Sequence, residues 1–317
     1  MAAMLGLVLS DNMISLFIFW ELTSISSFFL IGFNNDSEVS RKSAITALAV
    51  TGLGGLSLLA GALILGNVGG SYNISELLNS SEAITASPYY ILITILMFGA
   101  AFTKSAQFPF HFWLPGAMKA PTPVSTYLHS ATMVKAGIYL LMRFTPVLGS
   151  TSFWNSTLLI VGAVTMVYAA IHTIFRRDLK GILAYSTIAA LGILVFLIGQ
   201  GTEGAMLAAA LFIVVHALYK ATLFLVTGII DHQTHTRDVT VLRGLRKIML
   251  PVAIAGFLAA ISSAGIPPTL GFLGKELTYE STLAIIGTPL LWIALILLTK
   301  ILLLHAGFVA GISPFVG

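Results

Sequence analysis

The chain is 317 residues long, 57% apolar and only 9% charged, and it contains no cysteine. Soluble proteins average about 45–50% apolar and about 25% charged residues, and 16 basic with 12 acidic side chains could not cover a soluble domain of this size. An ordinary soluble enzyme, a disordered chain, a disulfide module, a thiolate metal site and a cysteine nucleophile are therefore excluded, and a mean hydropathy of +0.97 points to a polytopic membrane protein.

Lipid offers no partner to a bare backbone, so spanning segments must be helices or closed barrels. The apolar runs here are long and continuous, which selects helices. The first run, Ala2 to Leu9, is too short to cross, since a span needs about 20 residues. It lacks the charged start and cleavage site of a signal peptide, so the expectation is a chain that begins inside a helix and is truncated at its N-terminus. Full spans are expected at 12–33, 43–66, 88–118, 121–143, 155–175, 180–199, 205–230, 248–284 and 286–310. The longest connection, Asn67 to Ser87, holds Ser75-Glu76-Leu77-Leu78, a candidate short interfacial helix.

The loops sort by charge. On the side reached after the first full span lie Arg41, Lys42, Lys119, Arg176, Arg177, Lys180, Arg237, Arg243, Arg246 and Lys247, and on the opposite side Arg143 alone. This asymmetry places the basic side in the cytoplasm. No phosphate-binding glycine motif follows a strand, and the scattered basic residues lack the aromatic interleaving of a nucleic-acid surface. No Ser/His/Asp arrangement has the strand–turn–helix context that a nucleophile needs. No cofactor site and no metal site are expected.

Charges inside the spans carry the functional signal. A charge at mid-bilayer costs about 2.5–3.5 kcal/mol on insertion scales, and such residues mark ion pathways by default. Glu21, Lys104, Lys135, Lys220 and Lys275 lie within spans. Four lysines and one glutamate cannot neutralise one another, and a lysine that changes charge state can pass a proton. Lys104 precedes Pro109 and Pro115, which free the carbonyls of Ser105 and His111. Non-helical backbone at this depth is tolerated only within protein or beside water. The device recurs where Ile266-Pro267-Pro268 interrupts the span 248–284, ahead of Gly271, Gly274 and Lys275. Paired broken helices in corresponding halves point to the transport site of an inverted-repeat transporter.

His216 and Lys220 are spaced i, i+4 and share a helix face, close enough for a proton to pass between them directly or through water. A lysine at the second position rules out a zinc pair. His129, after Pro121 and Pro123, is expected near the cytoplasmic entrance as a proton-uptake group, with a structural role as the alternative. Lys135, six residues on, should point to a different face, and Lys300 could end the row. For Glu21 the alternative is a salt bridge between helices, for Lys104 a packing kink, and for His216 a satisfied core histidine. His111, His172 and His305 give weaker signals, and His232 and His235 belong to a solvated loop.

The stretches FWELTSISSFFLIGF (19–33), KSAQFPFHFWLPGAMKAPTPVS (104–125), HSATMVKAGIYLL (129–141), LKGILAYSTI (179–188), HALYKATLFL (216–225) and GFLGKEL (271–277) resemble the proton-translocating antiporter-like family. That family is shared by Mrp-type multisubunit Na+/H+ antiporters and the large membrane subunits of respiratory complex I. TGIIDHQTHTRD (227–238) and GKELTYESTL (274–283) look most like the large A-type subunits of the Mrp antiporters. The resemblance implies an all-α membrane fold of two inverted five-helix repeats with a discontinuous helix in each, here 1–147 and 148–317. It matches Glu21 and Lys104 to a glutamate–lysine pair, Lys135, His216 and Lys220 to a central relay, and Lys275 to the lysine of the second broken helix. It also implies a secondary transporter subunit rather than an enzyme, membrane-subunit partners, H+ and Na+ as transported ions, and residence in the cell membrane. Members of the family begin with about three more helices, and the A-type subunits continue well beyond the last span, so a chain shortened at both ends is expected. The alternative reading is a proton-pumping subunit of complex I or a membrane-bound hydrogenase.

Overall fold

A computed structural model describes residues 1–149, 151–285 and 287–316. Apart from two isolated bridges, Asn12 with Asn73 and Asp178 with Asp238, all regular structure among the described residues is helical. In chain order the α-helices are α1 (Ala2–Leu9), α2 (Met13–Ile31), α3 (Glu38–Gly69), α4 (Ile74–Leu77), α5 (Ser81–Ala86), α6 (Tyr90–Lys104), α7 (Trp113–Ala117), α8 (Thr122–Thr126), α9 (Ala136–Leu148), α10 (Ser152–Ile174), α11 (Leu179–Gly199), α12 (Glu203–Thr234), α13 (Leu250–Ala264), α14 (Leu270–Leu283) and α15 (Pro289–Gly311). Among the described residues, six helices are long and apolar enough to cross a membrane: α2, α3, α10, α11, α12 and α15 with its short extension.

The other three expected spans are each broken. Two breaks follow the expectation from proline, and both close the same way. In the first, the chain turns at Ala106 (φ 48°) and the Gln107 amide donates to the Phe102 carbonyl at 2.9 Å. In the second, Gly265 (φ 68°) turns the chain and the Ile266 amide donates to the Ile261 carbonyl at 3.2 Å. Each is a left-handed residue followed by a six-to-one bond, the ordinary way to end a helix. The carbonyl of Ser105, left free by Pro109, accepts from the Gln107 Nε2 at 2.9 Å.

The third break corrects the reading of 121–143 as one continuous span. After α8, residues 127–131 form a π turn, Met133–Lys135 a 3-10 turn, and only then does α9 begin. The cause lies in the hydroxyls. Thr132 Oγ1 donates to the Tyr127 carbonyl at 2.6 Å, and Ser130 Oγ bonds the Thr126 carbonyl. Side-chain donors of this kind compete with the helical ladder, and Thr132 itself leaves helical geometry (φ −118°, ψ −99°).

α11 is almost wholly buried among α10, α12 and α15. Gly162 of α10 and Gly192 of α11 face each other there. A Cβ on Gly192 would lie 2.5 Å from the Met166 nitrogen, and one on Gly162 would overlap the Phe196 nitrogen. The first turn of α11 is capped by Asp178, whose Oδ2 accepts from the Gly181 amide at 2.9 Å while its Oδ1 pairs with Arg237 Nε at 2.8 Å. Asp178→Ala should therefore destabilise the fold by about 1 kcal/mol, read as a lower thermal midpoint in detergent. An unchanged midpoint would mean that the cap adds nothing.

At the opposite end, Asp11 ties three segments together. It accepts from the Ser75 hydroxyl at 2.5 Å and from Arg143 at 3.0 Å, and the Ser75 bond is the main reason its carboxyl is held below the usual range. Ile74–Leu77 is indeed a short helix, packed under this clasp.

Candidate functional site

Lys104 ends the half-helix α6 and is completely buried. Its Nζ donates to Ser24 Oγ at 2.7 Å and to the Trp20 carbonyl at 3.2 Å, and lies 5.1 Å from the Trp20 ring centroid, close enough for a cation–π contact. Glu21 lies within charge range of it. No ion pair within 4.0 Å joins the two among the described residues, however, so the alternative reading of Glu21 as an interhelical salt bridge with Lys104 does not hold and the two are coupled by charge alone. The reason is local: α2 offers Lys104 a hydroxyl and a carbonyl one turn apart, and these take its hydrogen bonds. Glu21 Oε1 instead points over Gly55 with no hydrogen-bond partner.

Ser105 follows Lys104, and its hydroxyl donates to the Val134 carbonyl at 2.7 Å, next to Lys135. The buried Lys135 reaches α12, where its Nζ donates to the Ile213 carbonyl at 2.9 Å. One turn along α12 sits His216, fully buried, with neither ring nitrogen partnered and within charge range of Lys135, Lys220 and Lys300. Lys220, also buried, donates to Ser186 Oγ of α11 at 2.6 Å. Its bond therefore goes to a hydroxyl and not to His216. Lys300 lies 4.4 Å from the Phe212 ring centroid and within charge range of Lys275. Lys275 is half-buried, its stem against Gly265 and its Nζ 5.4 Å from the Phe272 ring centroid.

Two positions differ from the sequence reading. His129 is not exposed. The π turn carries it inward, where it is fully buried with both ring nitrogens unpartnered, 6.4 Å from the Phe224 ring centroid. Lys180, counted with the basic loops, is buried in the first turn of α11 and donates to the Ala120 carbonyl at 3.0 Å. It lies within charge range of His129, so the two form a branch leading from the Asp178, Asp231 and Arg237 cluster toward the interior. The signal for Lys180 was present: Asp178 caps α11, which puts a residue two positions later inside the helix. Ser24 and Ser186, the hydroxyl partners of two lysines, were also missed; nothing in their local sequence separates them from other helical serines.

The buried row is thus a set of amines held on hydroxyls and carbonyls together with one unpartnered imidazole, none of them neutralised by a carboxylate within 4.0 Å among the described residues. Amines and an imidazole are groups that can take up and release protons, and no donor cluster for a metal is found among the described residues.

Comparison with known proteins gives a consistent answer. Residues 10–303 match the family described as NADH:quinone oxidoreductase/Mrp antiporter, TM. The A1 subunit of a Na(+)/H(+) antiporter from Staphylococcus saprophyticus is 47% identical over 303 residues, covering 92% of this chain and 38% of that protein. The A/B subunit of a probable K(+)/H(+) antiporter from Rhizobium meliloti is 48% identical over 283 residues, covering 89% of this chain and 28% of that protein. A structure of the Mrp complex from Dietzia sp. DQ12-45-1b superposes with a TM-score of 0.92 at 44% identity, over 98% of this chain and 34% of the matched one. The chain therefore spans between about a quarter and two-fifths of the length of these relatives. A family match over most of its residues, joined to a shared backbone at this identity, makes the chain a multi-pass membrane member of the NADH:quinone oxidoreductase/Mrp antiporter family.

Proposed function

We propose that the chain forms the ion-handling core of one subunit in a hetero-oligomeric antiporter that exchanges a monovalent cation, Na+, for protons across the cell membrane. The observation that carries this reading is the buried row Lys104, Lys135, His216 and Lys220, with Lys275 at the second broken helix. A proton taken up at Lys104 beside Glu21 moves to Lys135, across His216 to Lys220, and on by way of Lys300 to Lys275. His129 with Lys180 supplies a side branch from the basic loops. Moving one charge through the membrane field is worth about 2.3 kcal/mol per 100 mV, enough to drive such transfers.

The basic loops face the cytoplasm on the strength of their charge asymmetry. The halves 1–147 and 148–317 act as inverted repeats, a reading supported by the matched closure of the two proline breaks. Other membrane subunits are the expected partners, because the relatives are named as subunits and the Dietzia structure is of a complex.

The family description also covers NADH:quinone oxidoreductase, which favours a second reading, a proton pump driven by distant electron transfer. One preparation separates the two. The complex is drawn from native membranes in mild detergent, its subunits are identified by mass spectrometry, and it is reconstituted into vesicles. The antiporter reading expects small hydrophobic partners and proton movement driven by a Na+ gradient alone. Peripheral flavin and iron–sulfur subunits, with proton movement that requires NADH and quinone, would replace it with the pump.

A further inference from the structure

Three of the basic loop residues have no acid beside them. Arg243, Arg246 and Lys247 fall within five residues, are all exposed, and make no ion pair among the described residues. No aspartate or glutamate lies between Asp238 and Glu276, and Asp238 itself accepts from the Thr240 hydroxyl at 2.7 Å. The segment is anchored from below. Leu245 is buried, and the Gly244 amide donates to the Val316 carbonyl at 3.4 Å. An apolar groove of about 200 Å³ leads away from these bases, between the first turns of α13 and the end of α15. Leu250, Ile254 and Phe257 form one wall at i, i+4 and i+7, each about half exposed. Gly311 and Phe315 form the other. The two sides meet at the floor, where a Cβ on Gly256 would lie 2.6 Å from the Gly311 carbonyl. Arg246 is the one charged residue in the lining, at the end where α13 begins.

Exposed apolar side chains are ordinary on a membrane helix, but a concave apolar face that ends under three unpaired cations is not. Basic pockets between spanning helices at headgroup depth take anionic lipid headgroups. A second apolar groove, beside Phe28, Phe29 and Ile45, also ends at an arginine, Arg41. There the charges are already engaged: Arg41 bonds the Asn35 carbonyl, and Lys42 pairs with Glu38 at 2.6 Å. We propose that the groove between α13 and the end of α15 binds a phospholipid with an anionic headgroup. Arg246 takes the phosphate, Arg243 and Lys247 add to the attracting charge, and an acyl chain lies along Leu250, Ile254 and Phe257. The lipid thereby braces α13, the half-helix that ends at the second break. The site belongs to the fold and holds whether the chain serves an exchanger or a redox-driven pump.

The test reconstitutes the purified, complete complex into phosphatidylcholine vesicles that hold a small fraction of phosphatidylglycerol with a photoreactive diazirine in one acyl chain. Labelled peptides are then mapped by mass spectrometry. Label is expected on 250–257 and 311–316, displaced by unlabelled phosphatidylglycerol and not by further phosphatidylcholine. The triple variant Arg243→Gln, Arg246→Gln, Lys247→Gln should lower it by at least about tenfold at a fixed fraction of probe, since each base near an anionic lipid is worth about fivefold in affinity. Ala253→Trp, which fills the groove and keeps every charge, should lower it as well. Arg41→Gln should label these peptides as the wild type does. If the triple variant does not assemble, raising the salt on the wild type from about 0.05 to about 0.5 M should reduce the label through screening. A phosphatidylcholine probe that labels the groove as strongly would overturn the proposal. So would a triple variant labelled like the wild type, a label indifferent to salt, or groove peptides that cross-link to another polypeptide segment of the complex in place of lipid.

Discussion

Lys104→Ala should reduce Na+-linked proton flux by at least about 100-fold, the scale on which a positioned proton-transfer group acts, while the complex still inserts and assembles. The side chain is completely buried and is the one amine at the first broken helix, held by Trp20 and Ser24. Its removal leaves a hydroxyl and a carbonyl that can satisfy themselves within α2, so the fold should tolerate the loss while the proposed relay should not. Lys104→Arg should fail to restore flux, because a guanidinium stays protonated in proteins and carries five donors where this site offers two acceptors. Flux in reconstituted vesicles decides the matter: wild-type rates in Lys104→Ala would remove this residue from the relay, and wild-type rates in Lys104→Arg would show that a fixed charge is all the site requires.

The largest structural effect is expected from the crossing of α10 and α11. Gly162→Val should destabilise the assembled protein by about 1–3 kcal/mol or more, the cost of overpacking a filled interior. The atoms in the way are backbone, the Phe196 nitrogen and the Gly192 carbonyl at 2.8 Å, and backbone has no rotamer to yield. The consequence extends to the row of amines, because α11 carries Ser186, the hydrogen-bond partner of Lys220. Thermal unfolding in detergent should show a lowered midpoint for Gly162→Val and for Gly192→Val. A variant that melts with the wild type would mean that the two helices do not approach as closely as described.

The long spans were legible because a bilayer demands length and apolarity and little else, and α2, α3, α10, α11, α12 and α15 begin and end within a few residues of the expected limits, except for longer ends on α3 and α12. The proline breaks were legible because Pro109 and Pro267 leave no choice about the ladder. The π turn at 127–131 was not. It depends on Thr132 and Ser130 turning their hydroxyls back on the chain, and the same residues elsewhere sit in regular helix. Lys180 was misplaced because its charge spoke for a loop while the Asp178 cap put it inside a helix. Which lysines lie in the interior was readable from cost alone, but what each one touches was not. A hydroxyl such as Ser24 or Ser186 becomes a partner only when two helices far apart in sequence are packed side by side.

α11 is both the most apolar of the six crossing helices and the one most enclosed by its neighbours. Lipid would hold such a segment as readily as protein does, since tails are as apolar as leucine, and no hydrophobic gain remains to draw it inward. Its composition and its destination therefore answer to different stages in the life of the protein. The leucines and isoleucines satisfy the insertion machinery, which judges each segment alone. The glycines at 162 and 192 act later, when close contact is the only advantage one neighbour has over another.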